Sequence, residues 1–189
     1  MIPRVAWLVG TTIGLALGGF VLHFPGSFGD FARWDPAALI FGAILGFMTG
    51  AWVGLFQWAA LRLPRGPGGR LLLAMGVGIG VTHALNDGAP LSLGLPIVAA
   101  ASGLAMTAAM AAILGERRPA ALAASVVGWA GGLLLAALIV KWTGLPWEET
   151  PVGWSTEHAV DGVVVGLTWG VLSAMVGLPA ILRRSDQPV

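Results

Sequence analysis

Between Pro36 and Leu61, and again between Gly88 and Gly115, the chain runs without one charged residue. A water-facing helix of that length would need a polar stripe, whereas a bilayer crossing takes about 20 predominantly apolar residues. Charged and Pro/Gly-rich breaks divide the chain into six apolar stretches, at about 5–23, 37–61, 71–87, 91–114, 120–140 and 159–182. Composition agrees: of 189 residues 57% are hydrophobic and only 10% charged, against roughly 25% charged in an ordinary globular chain. The spans use most of the chain and leave no room for a soluble domain. The expected fold is all-α, one integral membrane domain over residues 1–189 with six transmembrane helices.

Several boundaries carry their own signals. Asp35-Pro36 reads as an N-cap acid followed by proline at the first helical position, and Pro119 opens the fifth span, where a missing N–H is harmless. The turn Asn86-Asp87-Gly88-Ala89-Pro90 forces a hairpin between the third and fourth spans, with one longer re-entrant segment as the rival reading. The first span also has features of a signal peptide, since Arg4 precedes the apolar run and Ala16-Leu17-Gly18 is cleavage-like. Its run exceeds the usual apolar length of about 7–15 residues, which favours a span.

Orientation follows from the cations. Arg4, Arg62, Arg65, Arg70, Arg117, Arg118, Arg183 and Arg184 fall on one side of six alternating spans, and only Arg33 and Lys141 on the other. The positive-inside rule then makes both termini cytoplasmic, in what reads as a bacterial inner membrane. The outer side carries Asp30, Asp35, Asp87, Glu148, Glu149, Glu157 and Asp161, with Trp34, Trp142, Trp147 and Trp154 as an interfacial belt. Lys141 and Trp142 read as an anchor there, the lysine snorkelling outward. A formal net charge of +1 with no basic block argues against a nucleic-acid partner. The absence of cysteine excludes disulfides, thiolate metal sites and a cysteine nucleophile.

Glycine recurs every fourth residue: Gly10/Gly14/Gly18, Gly42/Gly46/Gly50/Gly54, Gly76/Gly80, Gly128/Gly132 and Gly162/Gly166/Gly170. Such small-residue stripes let helix backbones approach closely in lipid. The even spans end alike, in Ala59-Ala60-Leu61-Arg62, Ala112-Ile113-Leu114-Gly115-Glu116-Arg117-Arg118 and Ala180-Ile181-Leu182-Arg183-Arg184, so three helical hairpins are expected as parallel repeats. With its tail Gln57-Trp58-Ala59-Ala60-Leu61-Arg62, the chain resembles the Gly-rich multi-pass bacterial membrane proteins whose hairpins end in Gln-Trp-x-x-Leu-Arg. That resemblance implies architecture and no activity. Hairpins two and three lack the Gln-Trp pair.

Ionisable groups inside a bilayer usually face a bundle interior or a water-filled cavity. With a rise of about 1.5 Å per residue, His83 lies about 20 Å and Asp87 about 25 Å above Arg70, within a hydrocarbon layer of about 30 Å. Residues three and four apart share a helix face, so His83, Asn86 and Asp87 converge, as do Glu157, His158 and Asp161. On the cytoplasmic half Gln57 extends a glycine stripe, three residues from Gly54. These residues are the candidate ligand-binding set, and His83, Asp87, His158 and Asp161 the candidate metal ligands. The bland reading is that His83 and Asp87 bridge neighbouring helices while the Glu157 group sits in water.

The leading expectation is a small membrane protein for solute or ion transport or binding, with a polar cavity opening outward between the third and sixth spans. Length, span number and cytoplasmic termini resemble the substrate-binding subunits of vitamin uptake transporters, which implies an energising partner. The alternative is a non-catalytic structural subunit of a larger membrane complex, associated with partner subunits or further copies of itself and with pigment or haem. A metal-dependent membrane hydrolase is the third class. No cofactor is named by any motif: no Walker loop, dinucleotide fingerprint or serine-centred elbow occurs.

Overall fold

The computed structural model describes residues 3–21, 36–88, 94–143 and 156–176. They form α1 (Pro3–Val21), α2 (Pro36–Leu61), α3 (Arg65–Gly88), α4 (Gly94–Leu114), α5 (Pro119–Thr143) and α6 (Thr156–Met175), with no strand among the described residues. Four helices are long and apolar enough to cross a membrane: α2, α3 over Arg65–Leu85, α4 and α5. Shorter apolar stretches lie in α1 (Pro3–Leu17) and α6 (Gly162–Met175). The protein is all-helical and of multi-pass, membrane-embedded type. Residues Asp30, Arg33, Trp34, Asp35, Trp147, Glu148, Glu149, Trp154, Arg183 and Arg184 lie outside the described residues.

Helix ends follow local chemistry. Pro3, Pro36 and Pro119 each open a helix, in the first turn, where an amide has no partner to lose. α3 begins at Arg65, before its apolar stretch, because the Gly68 amide closes onto the Pro64 carbonyl at 2.9 Å. α2 ends with Arg62 in the left-handed region at φ 53°. There the Arg62 amide bonds Ala59 O and the Leu63 amide bonds Trp58 O, both at 3.3 Å. This is a Schellman closure, with arginine where glycine is usual.

Each helix packs on its two neighbours in sequence, and α6 returns to α1, so the six close into a ring. Neighbours run antiparallel, as shown by Gly10 against Gln57, Gly54 against Leu72, Gly128 against Trp169 and Gly170 against Leu8. The starts of α1, α3 and α5 therefore share one end with the finishes of α2, α4 and α6. That end carries Arg4, Arg62, Arg65, Arg70, Arg117 and Arg118, while Lys141 and Trp142 stand exposed at the other. The 25 residues of α5 span about 38 Å at about 1.5 Å each, enough to hold both sets of charges beyond about 30 Å of hydrocarbon.

At every junction a glycine occupies the point of closest approach. A Cβ added at Gly14 would lie 2.8 Å from Val53 Cα, at Gly50 2.7 Å from Gly76 Cα, and at Gly78 2.7 Å from Met106 Sδ. One at Gly103 would lie 2.8 Å from Val126 O, at Gly128 2.8 Å from Trp169 Cα, and at Gly166 2.7 Å from Thr12 Cα. The outside of the ring is apolar, with Ile40, Leu104 and Val127 about 60% exposed. Trp7, Trp169, Met75, Met106, Leu71 and Ile79 fill the inside.

Two glycines in helix interiors should therefore respond to the same substitution with opposite signs. At Gly131 nothing lies within 4 Å of an added Cβ, so Gly131→Ala should stabilise by up to about 1 kcal/mol through helix propensity. At Gly50 the methyl would run into the Met75 carbonyl, so Gly50→Ala should destabilise by at least about 1–3 kcal/mol through overpacking. Thermal unfolding of the detergent-solubilised variants measures both.

Candidate functional site

Among the sequence-predicted residues, His83 lies at the α2–α3 interface: a Cβ on Gly46 would come within 2.6 Å of the His83 Cβ. It is half-buried and faces α2. α3 packs on α2 and α4, and α6 on α5 and α1, so α3 and α6 stand on opposite sides of the ring. The expected cavity between the third and sixth spans would therefore lie across the ring and not between neighbouring helices. With neighbouring axes about 8–10 Å apart, groups on α3 and α6 can face each other only across the mouth of the ring. Asn86 and Asp87 belong to the last turn of α3, and Glu157, His158 and Asp161 to the first turns of α6. Both segments end at the same mouth, opposite the arginines, but these five side chains lie outside the described part. Among the described residues no three His, Asp or Glu groups come together as a metal would require.

Gln57 is fully buried and sits in a network. Its Nε2 donates to Thr11 Oγ1 at 2.6 Å, and the Thr11 hydroxyl donates to the Trp7 carbonyl at 2.7 Å. Trp7 Nε1 donates to Ser173 Oγ at 2.9 Å, and Ser173 donates to the Trp169 carbonyl at 2.6 Å. Trp169 Nε1 donates to Ser125 Oγ at 3.1 Å, and Ser125 lies 3.6 Å from Met110 Sδ. The rings add edge-on contacts: Trp7–Trp169 centroids are 5.6 Å apart and Trp129–Trp169 5.3 Å. Such pairs contribute about 0.5–1.5 kcal/mol beyond area burial. Five of the six helices are tied together by buried side chains.

Sequence reasoning found Gln57 through its glycine spacing but missed the tryptophans. The signal was present: Trp7 and Thr11 flank Gly10, Ser125 and Trp129 flank Gly128, and Trp169 and Ser173 flank Gly170. Attention to ionisable groups passed over indoles, which are apolar in bulk and polar at one atom.

Within this core some polar atoms have no partner. Thr11, Thr82, Thr107, Thr143, Thr168 and Ser173 follow the usual habit of bonding the carbonyl four residues back. By contrast the Thr12, Thr49 and Ser102 hydroxyls, Gln57 Oε1 and Trp129 Nε1 are buried with none. Gln57 on α2 and Trp129 on α5 stand on opposite sides of the ring, one an acceptor and the other a donor.

At the arginine end the chain builds joints. Glu116, 2% exposed, accepts from the Arg118 backbone amide at 3.1 Å, from Nε at 2.9 Å and from Nη2 at 2.8 Å. Arg118 Nη1 continues to the Val176 carbonyl at 3.0 Å, linking the α4–α5 loop to the end of α6. Arg70 Nε caps α4 at the Ile113 carbonyl, 2.9 Å away. The Gln-Trp-x-x-Leu-Arg tail now has a physical account. Gln57 bonds α1, Trp58 Nε1 closes onto Leu63 O at 2.7 Å while its ring covers Gly68, Leu61 packs on the core, and Arg62 turns the chain.

Because Arg118 is partly exposed and Glu116 is not, the two halves of this pair should be unequal. Arg118→Ala strands a buried carboxylate and should destabilise by roughly 3–5 kcal/mol. Glu116→Gln leaves a guanidinium that water can reach and should cost about 1 kcal/mol. Chemical or thermal unfolding compares them directly. Set beside family models, curated proteins and solved structures, the chain finds no match.

Proposed function

We propose that this protein binds and moves a small solute or ion across a bacterial inner membrane, as six spans in three repeated hairpins with both termini cytoplasmic. The guest would enter at the mouth bounded by His83, Asn86, Asp87, Glu157, His158 and Asp161, and Gln57 would contact it deeper in. One observation carries the reading: a closed helix ring with an apolar outside holds unpartnered polar atoms, Gln57 Oε1 and Trp129 Nε1, on opposite inner faces. Orientation is supported by the six arginines gathered at one end. The repeat is supported by equivalent contacts, Gly10–Gln57 and Gly14–Val53 in the first hairpin against Gly128–Trp169 and Gly132–Val165 in the third. Glycine columns would hold the hairpins together.

The structural-subunit reading is favoured by a different observation. The inner face is filled by Trp7, Trp169, Met75 and Met106, all fully buried, and a filled core needs no ligand. Native mass spectrometry of the purified protein separates the two. Transport predicts a retained solute or ion that disappears from His83→Ala, Asp87→Asn or Gln57→Leu while folding persists; a structural subunit retains partner chains and no such ligand.

Topology has its own test. Arg65→Cys and Arg117→Cys should react with a membrane-impermeant thiol reagent only from the cytoplasmic side of vesicles, and Lys141→Cys only from the other. Reaction of all three from one side would remove the six-span arrangement.

A further inference from the structure

We propose that the arginine-bearing end of the ring is a docking surface for anionic phospholipid headgroups, held by Arg62, Arg65 and Arg117. The described residues of that end carry six guanidinium groups against one carboxylate, Glu116. Glu116 is buried and already saturated by Arg118, and Arg70 is committed to the Ile113 carbonyl. Arg4, Arg62, Arg65 and Arg117 remain, all exposed and, among the described residues, in no ion pair. Among the described residues positive charge is therefore left uncompensated at that surface.

Its surroundings suit a lipid better than a soluble anion. Exposed apolar side chains adjoin the charges: Val5 beside Arg4, and Leu73 two turns above Arg65. An acyl chain lying along such a flank brings its phosphodiester to the level of the guanidiniums. At the α2–α3 joint, Arg62 and Arg65 stand three residues apart, and beside them Gly66 and Gly69 have nothing within 4 Å of where a Cβ would be. The open floor there admits a headgroup close to the backbone. Guanidinium matches phosphate oxygens in a two-point geometry, and each basic residue near an anionic bilayer surface contributes about a fivefold gain in affinity. The inference depends on membrane embedding and is independent of whether the protein transports anything.

Native mass spectrometry of the detergent-solubilised full chain tests it, with phosphatidylglycerol and phosphatidylcholine of identical acyl chains added in equal amounts. Phosphatidylglycerol should be retained in preference, and the triple variant R62Q/R65Q/R117Q should lose that preference by at least about fivefold. Lys141→Gln, at the other end, should leave it unchanged. Equal retention of the two lipids by the wild type, or undiminished preference in the triple variant, overturns the proposal. So does displacement of all phosphatidylglycerol by millimolar inorganic phosphate, which would identify a free-anion site instead.

Discussion

Where two helices of this ring meet, a glycine lets one backbone come within contact distance of the other. In lipid, helices gain no hydrophobic energy by associating, so dispersion at close range has to supply the attraction. Dispersion falls off steeply, and a gap of even 0.5–1 Å forfeits roughly a quarter to a half of each contact. The spacing at Gly14, Gly50, Gly128 and Gly166 thus sets how near every other group can be. The hydrogen bonds from Gln57 to Thr11 and from Trp169 to Ser125 exist because Gly10 and Gly128 stand at those same levels.

Close approach alone would leave neighbouring helices free to slide, since a stripe of identical small residues offers several registers. Trp7 and Trp169 remove that freedom, because an indole N–H in hydrocarbon must find a particular acceptor. Ser173 and Ser125 accept from α1 and α6 respectively, and each fixes one sliding coordinate. At the arginine end the Glu116–Arg118–Val176 and Arg70–Ile113 joints fix the loop levels in the same way. Packing supplies attraction, and the polar contacts supply register.

Much of this architecture was legible in the sequence. Each helix overlies one of the apolar stretches, α3 starting earlier at Arg65 and α6 at Thr156, and Pro36 and Pro119 begin α2 and α5 as their fixed φ requires. The arginines fall at one end because helix order and antiparallel packing leave them no alternative. Less legible was which helices adjoin: apolar periodicity and charge placement say nothing about whether α3 touches α6. His83 was expected to border a cavity shared with α6, and the structure sets its Cβ against α2 at Gly46. The left-handed Arg62 was illegible for a related reason, since arginine carries no intrinsic preference for that conformation and adopts it because Trp58 and Leu63 close the turn.

The same ring also carries an energetic cost. Each buried donor or acceptor left without a partner costs about 1–3 kcal/mol, and a typical protein has only about 5–15 kcal/mol of net stability to set against such losses. Thr49, Ser102 and Thr12 could each turn to the carbonyl one helical turn back, as Thr11 and Thr82 do, and in this conformation they do not. Gln57 and Trp129 have no such escape, because a carboxamide oxygen cannot donate and an indole cannot reach its own helix. An apolar residue of similar volume in place of Trp129 would remove that cost, whereas in place of Gln57 it would also remove the bond to Thr11. Gln57 carries its unpaired oxygen beside an amide that ties α2 to α1, and Trp129 its unpaired N–H on a ring packed edge-on against Trp169, so each cost is offset in part by the contact the same side chain makes.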